Sequence, residues 1–466
     1  MDLRVSGKDL IGNHLTMSLY NHAAIWPDEA AQRWPRSFFT NGHVMIDSEK
    51  MSKSTGNFIT LSDAIAEYSA DATRFALADA GDGLEDANFE RKSANAAILK
   101  LTKEEVWIKE IVEWDAKNSA TPLRTGPLNF FDRVFLNEIN ACVAAADAAY
   151  AKLQFREALK YAFHQLTSER DNYKLALDAE KNSERMHKDV LQAYFSTIAI
   201  TLSPLCPHFC QHVWELTGFA ASKGVKFVAR AAWPQVTPID VVLQRQMHYL
   251  RETALVLRKG LTEALIRFGK VPKGGEKPEK WIADIAAAAV GGTLVATEVV
   301  KLLDRCTLYI AADYPEWQAT VLNLVSAAWT ELNGRNPAEY PDRKLIITKL
   351  RGAFPANDKK ALENATKFAS SVLEDLALRG APALELASPF SEQELLESNW
   401  DFVLRDLGIT KQHIVIKQGV DGPALPAPAA GGAAASPEIQ AQTIEALAAA
   451  KALPGRPSPY FYKSKA

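Results

Sequence analysis

Residues 41 to 60 read NGHVMIDSEKMSKSTGNFIT, and at their centre stand Lys50, Met51, Ser52, Lys53 and Ser54. Two lysines three positions apart, spaced by small hydroxylated residues and followed by Gly56 and Asn57, describe a mobile loop that brings two ammonium groups to one polyphosphate. Lysine suits that task because its compact ammonium is a point charge on a flexible stem. Preorganised cations accelerate a reaction when negative charge grows on a phosphate in the transition state beyond what the ground state carries. The competing reading of the same residues is a solvated, charged turn.

Two further constellations lie upstream. Gly7, Asp9 and His14 follow a short strand at Leu3 and Val5 and open a helix from about Leu10. A strand, glycine turn and helix in that order can present backbone N–H groups to an anionic or hydroxyl-rich ligand. The pair Gly7-Lys8 is no P-loop, because the upstream glycine of that motif is missing. Asp9 could equally cap the helix, since aspartate is a preferred cap, and His14 could lie on the surface. Asn41, Gly42 and His43 come directly after Phe38 and Phe39, where His43 could also be a buried, satisfied histidine.

Other residues invite chemistry that their spacing does not support. Cys206, His208, Cys210 and His212 are spaced by two, and two residues advance about 200° around a helix, so the cysteines and histidines project from nearly opposite faces. They cannot converge on one tetrahedral ion, and no metal site is expected. Gly81-Asp82-Gly83 lacks the third glycine of a dinucleotide fingerprint. Arg156, Lys160, Arg170 and Lys174 recur at helical spacing and offer a basic face to phosphates, although Glu157, Glu169 and Asp171 interleave with them.

The elements that must position these residues follow from periodicity. Residues 58 to 90 carry an apolar face at helical spacing with Ser62 as a cap. Residues 91 to 220 are Ala- and Leu-rich, with helices expected over 92 to 114, 129 to 151, 154 to 179 and 184 to 202, which makes a helix bundle. VKFVARAAWP, 225 to 234, alternates like a strand, a helix follows over 239 to 267, and the Gly/Pro/Lys-rich stretch 268 to 281 reads as a linker. Strands are then expected at 306 to 312, 383 to 387 and 413 to 417, alternating with amphipathic helices, as in a small α+β domain. Residues 419 to 437 are an Ala/Pro/Gly linker, and the last piece sets Arg456, Lys463 and Lys465 among Tyr460, Phe461 and Tyr462. Aromatics among cations can stack on bases, or the tail can simply dock or fray.

A chain of 466 residues with 47% hydrophobic and 23% charged content is globular and long enough for about three domains. Its net charge of −3 excludes a global basic field, so any contact with nucleic acid must come from local faces. Four cysteines without CxxC spacing fit reduced thiols. No apolar run has the length of a signal peptide core or of a membrane span, and a soluble, cytoplasmic protein is expected.

The run KMSKS is a signature of class I aminoacyl-tRNA synthetases. GKDLIGNHL, NGHVMIDSEKMSKSTGN and SADATRFALADAGD together resemble the leucyl-tRNA synthetases of the eukaryotic cytosol and archaea. The resemblance implies a loop that closes over the triphosphate of ATP, with its magnesium, while the carboxylate of leucine attacks the α-phosphorus. Lys50 and Lys53 would be catalytic, Lys53 foremost, with Met51, Ser52 and Ser54 contacting ATP. Gly7 and Asp9 would hold the ribose side, His14 would line the amino-acid and adenylate pocket, and Asn41, Gly42 and His43 would face the adenylate.

LNFFDRVFLNEIN and FREALKYAFHQLTSERDNYKLAL are similar to the anticodon-binding bundle of the family, which makes Arg156, Lys160, Arg170 and Lys174 candidate contacts to tRNA(Leu). In the same resemblance Pro204, Pro207, His208 and Trp214 pack the bundle, and TLYIAADYPEWQ belongs to an appendage that helps to hold the tRNA. The implied fold is multidomain, α/β plus all-α. Residues 1–90 would be the C-terminal part of a Rossmann-type catalytic domain, 91–235 the bundle, 236–300 a helical connector and linker, 301–418 an α+β domain, and 419–466 a flexible linker and tail.

The string His-Ile-Gly-His and the inserted editing domain of the family do not occur in the sequence, so it resembles the C-terminal half of such an enzyme, expected to be inactive by itself. A monomer is expected, joined by the other half where the gene is split. The alternatives are a non-catalytic tRNA-binding module, or a valyl, isoleucyl or methionyl relative.

Overall fold

The computed structural model describes residues 2–26, 32–52, 54, 56–117, 122–177, 185–267, 305–333, 340–355, 358–405, 407, 409, 411–423 and 437–462. Strand β1 (Leu3–Gly7) lies parallel to β2 (Ser37–Asn41), in a register that sets Gly7 opposite Asn41. Parallel neighbours need a crossover, and here the chain leaves β1 through a 3-10 turn at Lys8–Leu10 and a π-turn at Ile11–Leu15 before helix α1 (Thr16–Ile25). Both strands therefore deliver their carboxyl ends to the same side.

A second small sheet follows at once, in the order β4-β3-β5, from β3 (Val44–Ile46), β4 (Glu49–Lys50) and β5 (Ala87–Phe89). Strand β3 pairs antiparallel with β4 and parallel with β5. Between β4 and β5 lie α2 (Leu61–Tyr68) and α3 (Ala70–Ala80). The Thr60 hydroxyl caps α2 by accepting from Asp63 N–H, and Ser69, at φ 71°, ends α2 and caps α3 by accepting from Ala72 N–H.

The bundle is built by α4 (Arg91–Lys117), α5 (Phe130–Ala151), a helix from α6 (Phe155–Leu159) through a π-turn (Lys160–Gln165) into α7 (Leu166–Leu177), then α8 (Lys188–Leu202), α9 (Pro207–Leu216) and short α10 (Phe219–Ser222). Trp214, Tyr194, Phe135, Leu159 and Leu166 are wholly buried in one core that also takes in Tyr68 and Phe75. Asn129 and Asp132 form a reciprocal capping box at the start of α5. Arg124 clasps both oxygens of buried Asp132 at 2.6 Å, and the Tyr173 hydroxyl donates to it at 2.7 Å, so the loop before α5 is tied to α7.

The chain divides into two compact units, Met1–Gln244 and Arg245–Ala466, with α11 (Val241–Arg267) starting at the end of the first. The second holds a three-stranded sheet with β6 (Arg305–Ile310) at its centre, parallel to β7 (Ile414–Gln418) and antiparallel to β8 (Ser458–Tyr462). Helices α12 (Glu316–Asn333), α13 (Arg343–Ala353) and α14 (Lys359–Arg379) enclose a separate core around Val321, Ile346, Leu350 and Leu376. Short α15 (Glu392–Ser398) and α16 (Trp400–Leu404) precede β7, and α17 (Pro437–Lys451) precedes β8.

Four expectations from the sequence differ from these elements. Ser62 lies inside α2 and does not cap it, because the Thr60 hydroxyl takes the Asp63 N–H. Residues 225 to 234 form no strand, because side chains of α9 take their backbone groups: Trp214 Nε1 donates to Val225 C=O and Gln211 Oε1 accepts from Val228 N–H. Residues 383 to 387 form no strand either. Gly380, at φ 67°, ends α14, and Pro382 starts a 3-10 turn (Ala381–Leu384) that buries Leu384 against the helices.

The tail expected to be flexible contains α17 and β8 instead, and it is ordered by burial of Tyr460 and Phe461 and by the pairing of β8 with β6. The linker at 268 to 281, together with Lys463 and Lys465, lies outside the described residues.

Candidate active site and nucleic-acid interface

The carboxyl ends of β1 and β2 bring Gly7, Lys8 and Asp9 beside Asn41, Gly42 and His43, the place where open α/β sheets bind ligands. His43 Nε2 lies 3.7 Å from Asp9 Oδ2, and His43 Nδ1 lies 3.5 Å from Asp86 Oδ1. Asp86 also accepts the Lys8 ammonium at 2.7 Å and the His43 backbone N–H at 2.9 Å. The Lys8 ammonium and the His43 N–H together hold the Asp86 carboxyl down at about 2. Lys8 donates a second time, to Leu84 C=O at 3.1 Å, so its charge is engaged within the protein.

At Gly42 glycine is required by close approach: a Cβ there would stand 2.1 Å from the Glu85 backbone oxygen, whereas one on Gly7 would meet only the Asp9 carboxylate at 2.8 Å, a side-chain end that can swing aside. Asn41 turns its amide back to Gly42 C=O at 2.8 Å. The sixth predicted residue of this group is set apart. His14 sits in the π-turn, and its hydrogen bonds go to Arg4 and Asn13 rather than to Asp9 or His43.

The lysine loop is launched by a tight hairpin. Asp47 and Ser48, both at positive φ (49° and 69°), form the two-residue turn between β3 and β4, a geometry that matches the twist of paired strands. Asp47 N–H donates to Phe89 C=O at 3.1 Å, Ser48 N–H to Asn88 Oδ1 at 2.7 Å, and Arg91 lies on Asp47 at 3.3 Å. The hairpin is thereby anchored to β5 and to the first turn of α4.

Beyond Lys50 the loop closes on itself. Ser52 N–H donates to Asn57 C=O at 2.9 Å, and the hydroxyls of Ser52 and Ser54 meet at 2.8 Å. Gly56, at φ 74°, makes the return turn. Lys50 and Met51 are exposed, and Lys50 has no ion-pair partner among the described residues. Lys53 lies outside the described residues.

On the bundle, the four cations expected to form a basic face separate. Arg156 is exposed at the start of α6. Lys160 is exposed, pairs with Glu157 at 3.1 Å and stands 4.9 Å from the Tyr161 ring. Lys174 is half-buried 5.6 Å from the Trp107 ring.

Arg170 departs from the expectation. Its side chain is only 12% exposed, it pairs with buried Glu104 and with Asp171 at 2.9 Å, and it lies 4.6 Å from the centre of the Trp107 ring. Its charge answers Glu104, whose carboxyl is pushed up by burial against the opposing pull of Arg170 and of the Tyr194 hydroxyl at 2.8 Å. Removed from the surface in this way, Arg170 is not presented to a passing phosphate.

The cysteine and histidine group of α9 also disperses. Cys206 and Cys210 are buried, their thiols facing Asp71 C=O and Ile198 C=O. His208 lies 3.0 Å from Asp71 and His212 lies 3.1 Å from Glu105. Buried Asp71 also accepts the Phe209 N–H at 2.6 Å, which fastens α9 to α3.

Sequence reasoning missed Lys8 and Asp86, which stand 78 positions apart. Asp86 and Leu84 lie in GDGLED, a string with no recognisable motif, and only the return of the chain past Gly42 gives it a role.

Two family models match separate parts of the chain. Residues 1–91 match the class I (C) catalytic domain of tRNA synthetases, and residues 132–270 match the anticodon-binding domain of tRNA ligase. These two stretches are similar to the catalytic and anticodon-binding domains of tRNA synthetases.

Among the relatives of this chain, the cytoplasmic leucine–tRNA ligase of Pongo abelii is 38% identical over 419 residues, covering 90% of this chain and 32% of the relative. That of Arabidopsis thaliana is 36% identical over 432 residues, covering 92% and 36%. The chain thus spans about a third of the length of the curated relatives it matches. A crystal structure of an Agrobacterium radiobacter K84 LeuRS in ternary complex with tRNA and LeuAMS is 19% identical, with a TM-score of 0.39, covering 51% of this chain and 29% of that one.

Proposed function

We propose that this chain carries part of a leucine–tRNA ligase of the cytoplasm: the ATP-facing strand ends and lysine loop of the catalytic domain, with the RNA-binding bundle behind them. The observation that carries this reading is the gathering of Asp9, Asn41, Gly42 and His43 at the carboxyl ends of adjacent parallel strands, with the KMSKS hairpin leaving the chain immediately afterwards. One carboxylate oxygen of leucine would attack the α-phosphorus of ATP and break its bond to the bridging oxygen, so that pyrophosphate leaves and leucyl-adenylate remains. A terminal ribose hydroxyl of tRNA(Leu) would then take the leucyl group and release AMP.

Each set of residues has a part in this scheme. Lys50 and Lys53 meet the charge that develops on the α-phosphate and the departing pyrophosphate, where fixed cations in a shielded site act most strongly. Asp9 accepts from the ribose hydroxyls and His43 borders the adenylate. Lys8 is engaged by Asp86 and Leu84 C=O, so the phosphate charge falls to the loop lysines. Among the described residues no group of three or more His, Cys, Asp or Glu could hold a metal ion. Magnesium enters this proposal as the companion of ATP, where it would supply charge neutralisation to the phosphate oxygens.

Leucine-dependent exchange of pyrophosphate into ATP, measured on the native protein that contains this sequence, tests the reading. Lys53→Ala should lower the exchange rate by about 10²-fold to 10³-fold, the scale for losing one preorganised electrostatic contact. Exchange that answers to valine, isoleucine or methionine and not to leucine would refute the substrate assignment.

A second reading, a tRNA-binding module without catalysis, is favoured by one contrast. The bundle has a large closed core, whereas the nucleotide side rests on a two-stranded parallel sheet whose Val5 and Phe38 are exposed. Parallel sheets are ordinarily covered on both faces. Tight tRNA binding with no exchange for any amino acid would select this reading.

A further inference from the structure

Residues Asp79 to Asp86 join α3 to β5, and their polar groups leave the segment in two directions. Toward the bundle, Asp79 Oδ1 lies 3.7 Å from His164 Nε2, and Asp82 Oδ2 accepts the Arg156 backbone N–H at 3.0 Å, in the first turn of α6. Toward the strand ends, Gly83 C=O accepts Gly42 N–H at 3.2 Å, and Leu84 C=O accepts from Lys8 Nζ at 3.1 Å. Asp86 then takes both the Lys8 ammonium and the His43 N–H. The Glu85 backbone fills the space where a Gly42 side chain would stand.

We propose that this acidic segment is a strap through which helix α6 sets the position of Gly42, His43 and Lys8, with Asp86 as a positioning residue of the nucleotide site. The inference rests on the reading of α6 as the RNA side and of the strand ends as the nucleotide side. Asp86 acts through Lys8 and His43. Hydrogen bonds to an ionised carboxylate are stronger than neutral ones, so the strap's two ends are held by charge: Asp82 on the helix end, Asp86 on the strand end. Between them stand three residues, Gly83, Leu84 and Glu85, which bend past Gly42 and are held to it by the Gly83 C=O and by the close approach of the Glu85 backbone, so a shift at Arg156 has a short path to Gly42. RNA that engages the exposed Arg156 and Lys160 therefore stiffens the backbone that borders the adenylate.

Amide hydrogen exchange at Gly42 and His43 in the whole chain, with and without a tRNA(Leu) transcript, tests this. Without RNA, Asp86→Asn should speed exchange at both amides about fivefold, the factor that one net hydrogen bond represents, and Asp86→Glu should restore it in part. With RNA, exchange at Gly42 and His43 should slow in the wild-type chain. In Asp82→Ala it should not slow when the comparison is made at saturating transcript, with a thermal melt showing that the variant is folded at the temperature of the measurement.

Transmission of the same protection by Asp82→Ala, or RNA binding that leaves both amides unchanged in the wild type, would overturn the strap. Absence of any RNA binding would remove the RNA side of the proposed function and the strap's input with it. An Asp86→Asn chain with normal exchange at both amides would separately end the positioning role, whatever the RNA does.

Discussion

Gly42 shows how a single residue type can be dictated by its neighbours' backbone. With Glu85 O standing 2.1 Å from where a Cβ would be, Gly42→Ala cannot be accommodated unless the 83–86 backbone withdraws. That displacement should destabilise the first unit by about 1–3 kcal/mol, the scale of overpacking, and a urea melt should record it as a lower midpoint at unchanged slope. The sequence marks Gly42 only as the middle of NGH, where by resemblance it faces an adenylate. What fills the space is the strap, which local spacing cannot reveal because Glu85 is 43 positions away. Lys50, Lys53 and their serines stand out as candidates in the sequence for the opposite reason: the chemistry proposed for them belongs to neighbouring positions in one short stretch. Asp9 and His43 fall between these cases, recognisable as candidates but joined only by the parallel pairing of β1 with β2.

Among the elements, the bundle was the most legible, because helical periodicity over more than 100 residues leaves little choice of secondary structure. Which face a helical cation occupies was less legible. Arg156 and Arg170 are both arginines on the same long helix, yet one is exposed and the other answers a buried glutamate. Arg170→Gln should cost the bundle about 3 kcal/mol, since it leaves Glu104 buried without its cation. Arg156→Gln should stay within about 0.5 kcal/mol of wild type in stability, while lowering tRNA affinity and reducing the salt slope of binding by about one. Parallel thermal melts and binding curves over a salt series distinguish the two. Equal behaviour of both variants would contradict the division of labour assigned here.

The clasp at the start of α5 makes a similar demand. Asp132 is wholly buried and holds Arg124 and Tyr173 together, so Asp132→Ala should lose about 3 kcal/mol in a denaturant melt. The strand expected at 225 to 234 failed for an element-level reason: alternation predicts a strand only where another strand is available to pair, and here α9 side chains satisfy the backbone instead.

At the scale of the whole chain, each compact unit has its own electrostatic signature. In the second unit Glu392 accepts the Gly455 N–H at 2.6 Å, and burial raises its carboxyl above the ordinary value. The folded unit therefore holds this proton more tightly than the unfolded chain. Its contribution is fully present below the unfolded pKa and is lost as pH rises through the folded one. Glu392→Gln should flatten that loss in a series of melts across pH, and a steeper loss would contradict the assignment.

The sequence signalled an α+β pattern here but not its closure, because β8 comes from a tail whose aromatic and basic residues read equally well as a nucleic-acid contact. Its Tyr460 and Phe461 are buried in the sheet instead.

Under the proposed function, the protein that contains this sequence charges tRNA(Leu) with leucine. Attachment of labelled leucine to a tRNA(Leu) transcript by the native protein that contains this sequence measures it most directly. Charging should be specific for leucine and should fall by about 10²-fold or more in Lys53→Ala, with transcript binding retained. Charging with another amino acid, or leucine charging indifferent to Lys53→Ala, would contradict it.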